Sequence, residues 1–255
     1  MIFETHAHYD DDAFEEDREA LLAQLPENGI GYVVNIGASL RSVKSSIALA
    51  EKYEYIYASA GIHPSDTDQL NEENFAWLKQ QCSHPSVVAV GEIGLDYHYE
   101  DPERKIQKEW FARQLDLARE VKKPIIIHSR EAAQDTYEIM KAHKAQENKG
   151  VIHCFSYTKE TAKQYLDWNY YFGIGGVVTF KNAKKLKEAV EYIPIENILL
   201  ETDCPYMAPT PHRGERNSSL YLPLVAEAIG EIKGISTEEV IAITEKNAMN
   251  FYGIV

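Results

Sequence analysis

Short apolar runs recur along the entire chain, each followed by a stretch with helical spacing. Their ends fall at His8, Gly37, His63, Glu92, His128, His153, Gly175 and Asp203, separated by 29, 26, 29, 36, 25, 22 and 28 residues. Runs such as Tyr32-Val33-Val34-Asn35-Ile36-Gly37 and Pro124-Ile125-Ile126-Ile127-His128 are almost continuously apolar, as parallel strands covered on both faces are. The intervening spacing predicts helices over 14–24, 39–52, 72–81, 102–121, 131–143, 159–166 and 181–190, and two more over 222–232 and 237–250 close the chain. Eight such units at this period predict the α/β class and a (β/α)8 TIM barrel. An open doubly wound sheet is the alternative, but no Gly-x-Gly-x-x-Gly follows an early strand.

The length of 255 residues suits one closed barrel, so residues 1–255 are expected to form a single domain. No apolar run approaches the length of a membrane span, and no basic leader precedes the first strand. Neither a membrane helix nor a signal peptide is expected. Cys82, Cys154 and Cys204 are odd in number and far apart, which excludes a disulfide framework and a Cys-x-x-Cys zinc module and suits the cytoplasm. A formal charge of -14 repels polyanions at long range and argues against a protein that coats DNA. A monomer is the default expectation.

The C-terminal ends of barrel strands form the active face of this architecture. His6, His8, His63, Glu92, His128, His153 and Asp203 are placed there, while His84, His98, His143 and His212 fall elsewhere. Each has an ordinary structural explanation when taken alone: a core histidine, a paired carboxylate, a turn cap. Together they do not, because chance rarely puts so many ligand-type side chains at the same end of successive strands. Residues two apart on a strand face the same way, so His6 and His8 can reach one ion. Four imidazoles and two carboxylates suffice for two divalent ions if one carboxylate bridges. Glu92 is the expected bridge, with His6, His8 and Asp203 on the first ion and His128 and His153 on the second.

The segments Thr5-His6-Ala7-His8, Gly61-Ile62-His63-Pro64, Gly91 to Tyr97, Pro124 to Arg130, His153-Cys154-Phe155 and Leu200 to Tyr206 resemble those of TatD-type metal-dependent deoxyribonucleases of the amidohydrolase superfamily. The resemblance covers almost the whole chain. It implies a metal-dependent hydrolase barrel with His-x-His on strand one, a bridging group on strand four, histidines on strands five and six and an aspartate on strand eight. Many amidohydrolases bridge with a carboxylated lysine, whereas this family uses the glutamate that Glu92 supplies. Three positions differ: Glu4 stands where Asp is frequent, Cys204 where Ser is, and Ser218-Ser219 where an acidic residue and Pro are usual.

The function that follows is a 3'-5' exodeoxyribonuclease acting on single-stranded 3' ends of DNA. Two ions, Zn or Mn by ligand softness and Mg by the phosphoryl substrate, activate a water with Asp203 as ligand and base and Glu92 as bridge. His63, Arg130, Arg213 and Arg216 are the expected phosphate contacts, although Arg213 and Arg216 equally suit surface salt bridges. Tyr97, Tyr157 and Tyr206 are placed to stack on bases. Glu201 either hydrogen-bonds the free nitrogen of a ligating histidine or is a plain inward-facing polar residue. The same metal pair suits a small ester, amide or aminoacyl ester, which is the second reading. A barrel that binds without catalysing is the third.

Overall fold

The computed structural model describes residues 1–254. Its strands are β1 Ile2–Ala7, β2 Ile30–Asn35, β3 Ile56–Ala60, β4 Val87–Asp96, β5 Ile125–Arg130, β6 Gly150–Ile152, β7 Tyr171–Ile174 and β8 Ile198–Leu200. They follow one another in chain order in one eight-stranded sheet, and every pairing described is parallel. The helices between and after them are α1 Arg18–Gln24, α2 Leu40–Lys52, α3 Glu72–Gln81, α4 Arg104–Val121, α5 Ala133–Ala142, α6 Lys159–Leu166, α7 Lys184–Tyr192, α8 Leu222–Lys233 and α9 Thr237–Tyr252. This is the (β/α)8 arrangement that the sequence period predicts. Among the described residues no helix is long and apolar enough to cross a membrane.

By its contacts the chain divides into two compact units, Met1–Asn35 with Cys154–Val255, and Ile36–His153. In the first, Ala7 makes a parallel bridge to Cys204, just past β8. Phe3 stacks on Tyr32 and on Tyr252, with ring centroids 5.2 and 5.8 Å apart. Helix α9 starts with a capping box in which Ser236 and Glu239 satisfy each other's backbone N–H, and it ends at Gly253 with φ of 69°. It packs on α8, β1 and β8, and the Tyr252 hydroxyl donates to the Thr5 carbonyl at 2.8 Å. The last helix thereby fixes the strand that carries His6.

In the second unit β5 buries Ile125, Ile126 and Ile127 in succession, as a strand covered on both faces must. Helix α4 buries Gln107, Trp110, Phe111, Gln114, Leu115, Leu117 and Ala118, the stripe that a 3.6-residue period lays along one face. Each large apolar side chain in it contributes about 1.5–3 kcal/mol. Its two buried glutamines act on backbone. Gln107 accepts from Asp96 N at 2.9 Å and donates to Asp96 O and Pro102 O at 3.0 and 2.8 Å. Gln114 accepts from Ile62 N at 2.8 Å and donates to Ile62 O at 3.1 Å. The loops after β3 and β4 are thus clipped to one helix.

Of the boundaries that differ from the sequence expectation, four bear on the ends of the barrel units. The first helix begins at Arg18 because residues 12–14 form a 3-10 turn capped by Asp11. Strand β3 ends at Ala60 instead of His63, whose side chain caps the next turn. Strand β8 ends at Leu200, before the turn at Asp203. Strand β4 runs four residues beyond Glu92, to Asp96. It continues because Gly94, with φ of 153°, lies opposite His128; a Cβ there would fall 1.9 Å from the His128 carbonyl oxygen.

Candidate metal centre

In the first unit the strand order brings His6, at the end of β1, and His8, just after it, together with Asp203 beyond β8. His6 Nε2 and His8 Nε2 are 3.2 Å apart, and Asp203 Oδ1 is 3.6 and 3.3 Å from them. Asp203 adopts φ of 57°, a left-handed conformation that Asp tolerates better than most residues. Its N–H donates to His6 O, and His8 N–H donates to Cys204 O, both at 2.9 Å. The turn is therefore stitched to the strand whose histidines it faces.

Beneath this cluster lies a buried carboxylate. Glu4 Oε1 accepts from His6 N and Thr202 N at 3.1 and 3.0 Å, and Oε2 accepts from the Thr202 and Ser219 hydroxyls at 2.7 and 2.9 Å. Burial pushes the Glu4 carboxyl up to about 8 against those hydrogen bonds. Ser219 Oγ also lies 2.7 Å from the Tyr9 hydroxyl. Two of the positions at which the chain differs from its resemblance, Glu4 and Ser219, are thus partners. Asn217 completes the frame by donating to Thr202 O and Tyr206 O at 3.0 and 2.7 Å.

Glu201 sits on the same side. Its Oε1 accepts the Cys154 N–H at 2.6 Å, and Gly173 makes room for it, since a Cβ there would fall 1.9 Å from Oε2. A narrow cleft beside Asp203 is lined by Cys154, Phe155, Val177, Leu186, Glu201 and Met207.

In the second unit Glu92, buried in β4, stands among histidines from three strands. His128 Nδ1 is 2.8 Å and His153 Nε2 3.1 Å from its Oε1, and His63 Nε2 is 4.0 Å away. The other nitrogen of His128, Nε2, lies 3.1 Å from Asp96 Oδ2. Burial opposes charge on the His128 ring, but the two carboxylates outweigh it and raise its pKa. With His128 Nε2–H donating to Asp96 Oδ2, Nδ1 is the ring atom turned to the Glu92 side. His63 Nδ1 accepts from Ser65 N at 3.1 Å, which leaves Nε2 as the atom on the Glu92 side.

Both clusters have the composition of a divalent-cation site. His6, His8 and Asp203 each offer one ligand atom within 4.8 Å of the others, and so do His63, Glu92 and His128. Converging imidazole nitrogens and carboxylate oxygens are the donors that Zn, Mn and related ions take. His153 enters through its 3.1 Å approach to Glu92.

Asp96 was not among the residues expected from sequence. The signal was its position four residues after Glu92 on one strand, hence on the same face, hidden by ending that strand early. Asp96 also accepts from His98 N at 2.9 Å, so it ties His128 to the loop after β4.

The arginines separate. Arg216 is engaged in a two-pronged ion pair with Asp17, at 2.7 and 2.6 Å, and also donates to Ala13 O. Arg213 is exposed and lies 4.1 Å over the Phe180 ring, and exposed Arg130 lies 5.6 Å from the Tyr99 ring centroid. Neither makes an ion pair among the described residues. The tyrosines expected to stack on bases are partly committed: Tyr97 donates to Asp135 and carries Arg104 over its ring, Tyr206 donates to Asp11, and Tyr157 packs edge-on against Phe155.

Residues 3–253 match the family described as TatD related DNase. An uncharacterized metal-dependent hydrolase of Bacillus subtilis, YabD, is 41% identical over the full length of both chains. The crystal structure of YjjV, a TatD homolog from Escherichia coli, superposes with a TM-score of 0.93 at 29% identity, covering 100% of this chain and 98% of that one. A TatD family hydrolase from Entamoeba histolytica gives a TM-score of 0.88 at 25% identity, over 99% and 98% of the two chains.

Proposed function

The chain belongs to the TatD related DNase family and is a metal-dependent hydrolase, and we propose that it removes nucleotides from single-stranded 3' ends of DNA in the 3'-to-5' direction. The observation that carries the phosphodiester reading is the pair of exposed guanidiniums, Arg130 and Arg213, left without ion pairs in a chain of net charge -14. In so acidic a protein, an exposed arginine with no carboxylate partner suits an anion, and Arg130 is the register partner of Asp96, which touches His128. Arg216, committed to Asp17, is withdrawn from that role.

Residues 1–255 act as one catalytic domain in this reading, a monomer working in the cytoplasm. His6, His8 and Asp203 would hold one divalent ion and His128 and His153 a second, with Glu92 as the ligand common to both. Ions held by these residues would supply Lewis acidity toward a phosphoryl oxygen and would lower the pKa of a bound water. Zn, Mn and Mg all fit the donors. Asp203 Oδ1 accepts the proton of the attacking water. His63 Nε2–H donates to a phosphoryl oxygen, and Arg130 and Arg213 bind the flanking phosphates. Asp96 keeps the His128 ring turned toward Glu92.

The test is hydrolysis of 3'-labelled single-stranded DNA by metal-stripped protein with Mg, Mn or Zn restored, beside the Glu92→Ala variant. Stepwise nucleotide release that needs metal and vanishes in the variant is the expected result. No release with any metal, with ions bound, moves the assignment to a small ester, amide or aminoacyl ester, a reading that explains the acidic surface at least as well.

A further inference from the structure

The loop between β4 and α4 carries Tyr99, one of the few large side chains that stay exposed, at 56% of its surface. The loop is tightly built. Gln107 holds both ends of it through Asp96 and Pro102, and Asp96 Oδ1 fixes His98 N at 2.9 Å. The His98 ring is held in turn by Glu131, with Nδ1 2.9 Å from Oε1. Tyr99 sets its ring edge-on to His98, with centroids 4.9 Å apart at 84°, and the Arg130 guanidinium lies 5.6 Å from the ring centroid. Arg130 is the register partner of Asp96 on β5. The carboxylate that touches His128 therefore also fixes how far Tyr99 stands from the cluster.

A short loop clipped at both ends spends chain entropy to hold this exposed ring still beside a cation. We propose that Tyr99 is a nucleobase-stacking platform, with Arg130 binding the phosphate next to that base; the proposal rests on the phosphodiester reading above. A ring with an adjacent cation is the combination that grips single strands without regard to sequence. Tyr97 serves this role less well, because Arg104 already covers its ring and its hydroxyl is spent on Asp135. Tyr99 is then what separates a nucleotide strand from a small ester at this centre.

The experiment mixes the metal-loaded full chain in a stopped-flow instrument with a strand bearing 2-aminopurine at its 3'-terminal nucleotide, and measures release from normal and abasic-ended strands. Wild type and Tyr99→Phe should quench the fluorophore on binding, and Tyr99→Ala should lose most of the quench. The alanine variant should raise KM on the normal strand on the order of tenfold, with the effect on KM and not kcat, and add nothing on the abasic end. Tyr192→Ala, which removes an exposed tyrosine at the end of α7, should keep the quench. Equal quench in Tyr99→Ala, an equal loss on abasic ends, or no binding by wild type overturns the proposal. Degradation that ignores Tyr99 sinks the platform and leaves the phosphodiester reading standing. A Tyr99-dependent quench without degradation does the reverse.

Discussion

The two ligand clusters are held by different forces. His6, His8 and Asp203 hang from a frame of neutral donors converging on buried Glu4: two backbone N–H groups and two hydroxyls. Glu92, by contrast, stands directly among imidazoles, and His128 is caught between two carboxylates. The first arrangement is a scaffold whose geometry does not need its ligands to be charged. The second is set by the charges themselves, so its geometry and its chemistry are not separable. One cluster should fail by unfolding, the other by misfiring.

The largest effect tests the charged cluster directly. Glu92→Gln keeps the shape of the side chain and removes its charge, and should cut hydrolysis by about a thousandfold or more, with a melting temperature near wild type. A melting temperature that fell as far as the activity would erase the contrast. The frame comes next. Glu4→Ala strands two buried N–H groups and opens a cavity, and should cost about 4 kcal/mol, seen as a fall of roughly 10 °C in Tm. Glu4→Gln retains an oxygen for both N–H groups and an amide for the hydroxyls, which matches a carboxyl pushed up to about 8. It should stay within about 1 kcal/mol of wild type by denaturant titration.

Asp96→Asn sharpens the comparison at smaller scale. It should weaken metal binding by calorimetry, and slow turnover, by about 10- to 100-fold while leaving Tm almost unmoved. A stability loss without an affinity loss would make Asp96 part of a scaffold after all. The smallest effect lies on the surface, where each unit carries one two-pronged ion pair, Arg216 with Asp17 and Arg113 with Glu72. Each arginine lowers its carboxylate's pKa, so the contribution is present above the unfolded carboxylate's pKa and lost as pH falls through the folded one. Arg216→Ala should lower Tm slightly at pH 6 and not at all at pH 2, with activity unchanged.

What the sequence revealed follows from which interactions are local. Strand period and ligand type are written in neighbouring residues, so the sequence could be read for His6 and His8 at β1, Glu92 in β4, His128 in β5, His153 just after β6 and Asp203 beyond β8. Asp96 was lost because a charged residue inside an apolar run looks like its end, and the contribution of Gly94, which lets β4 continue beside β5, is visible only in the pairing. Glu4 looked like a conservative departure from a motif, since its partners Thr202 and Ser219 lie about 200 residues away. Arg216 was left between two roles for the same reason: Asp17 is 199 residues distant.

Helix α4 sets two loops at once. Gln107 and Gln114 are seven residues apart, two turns of helix, so their grips on Asp96 and Ile62 are spaced by roughly 10 Å along a rigid rod. Neither loop can drift without bending or unwinding that rod. In hydrogen–deuterium exchange the amides of Ile62 and Asp96 should therefore report a single opening event, that of α4. A fluctuation that frays the helix would release His63 and Asp96 in the same instant, which makes the outer surface of the second unit a remote tuning point for the end that carries Glu92 and His128.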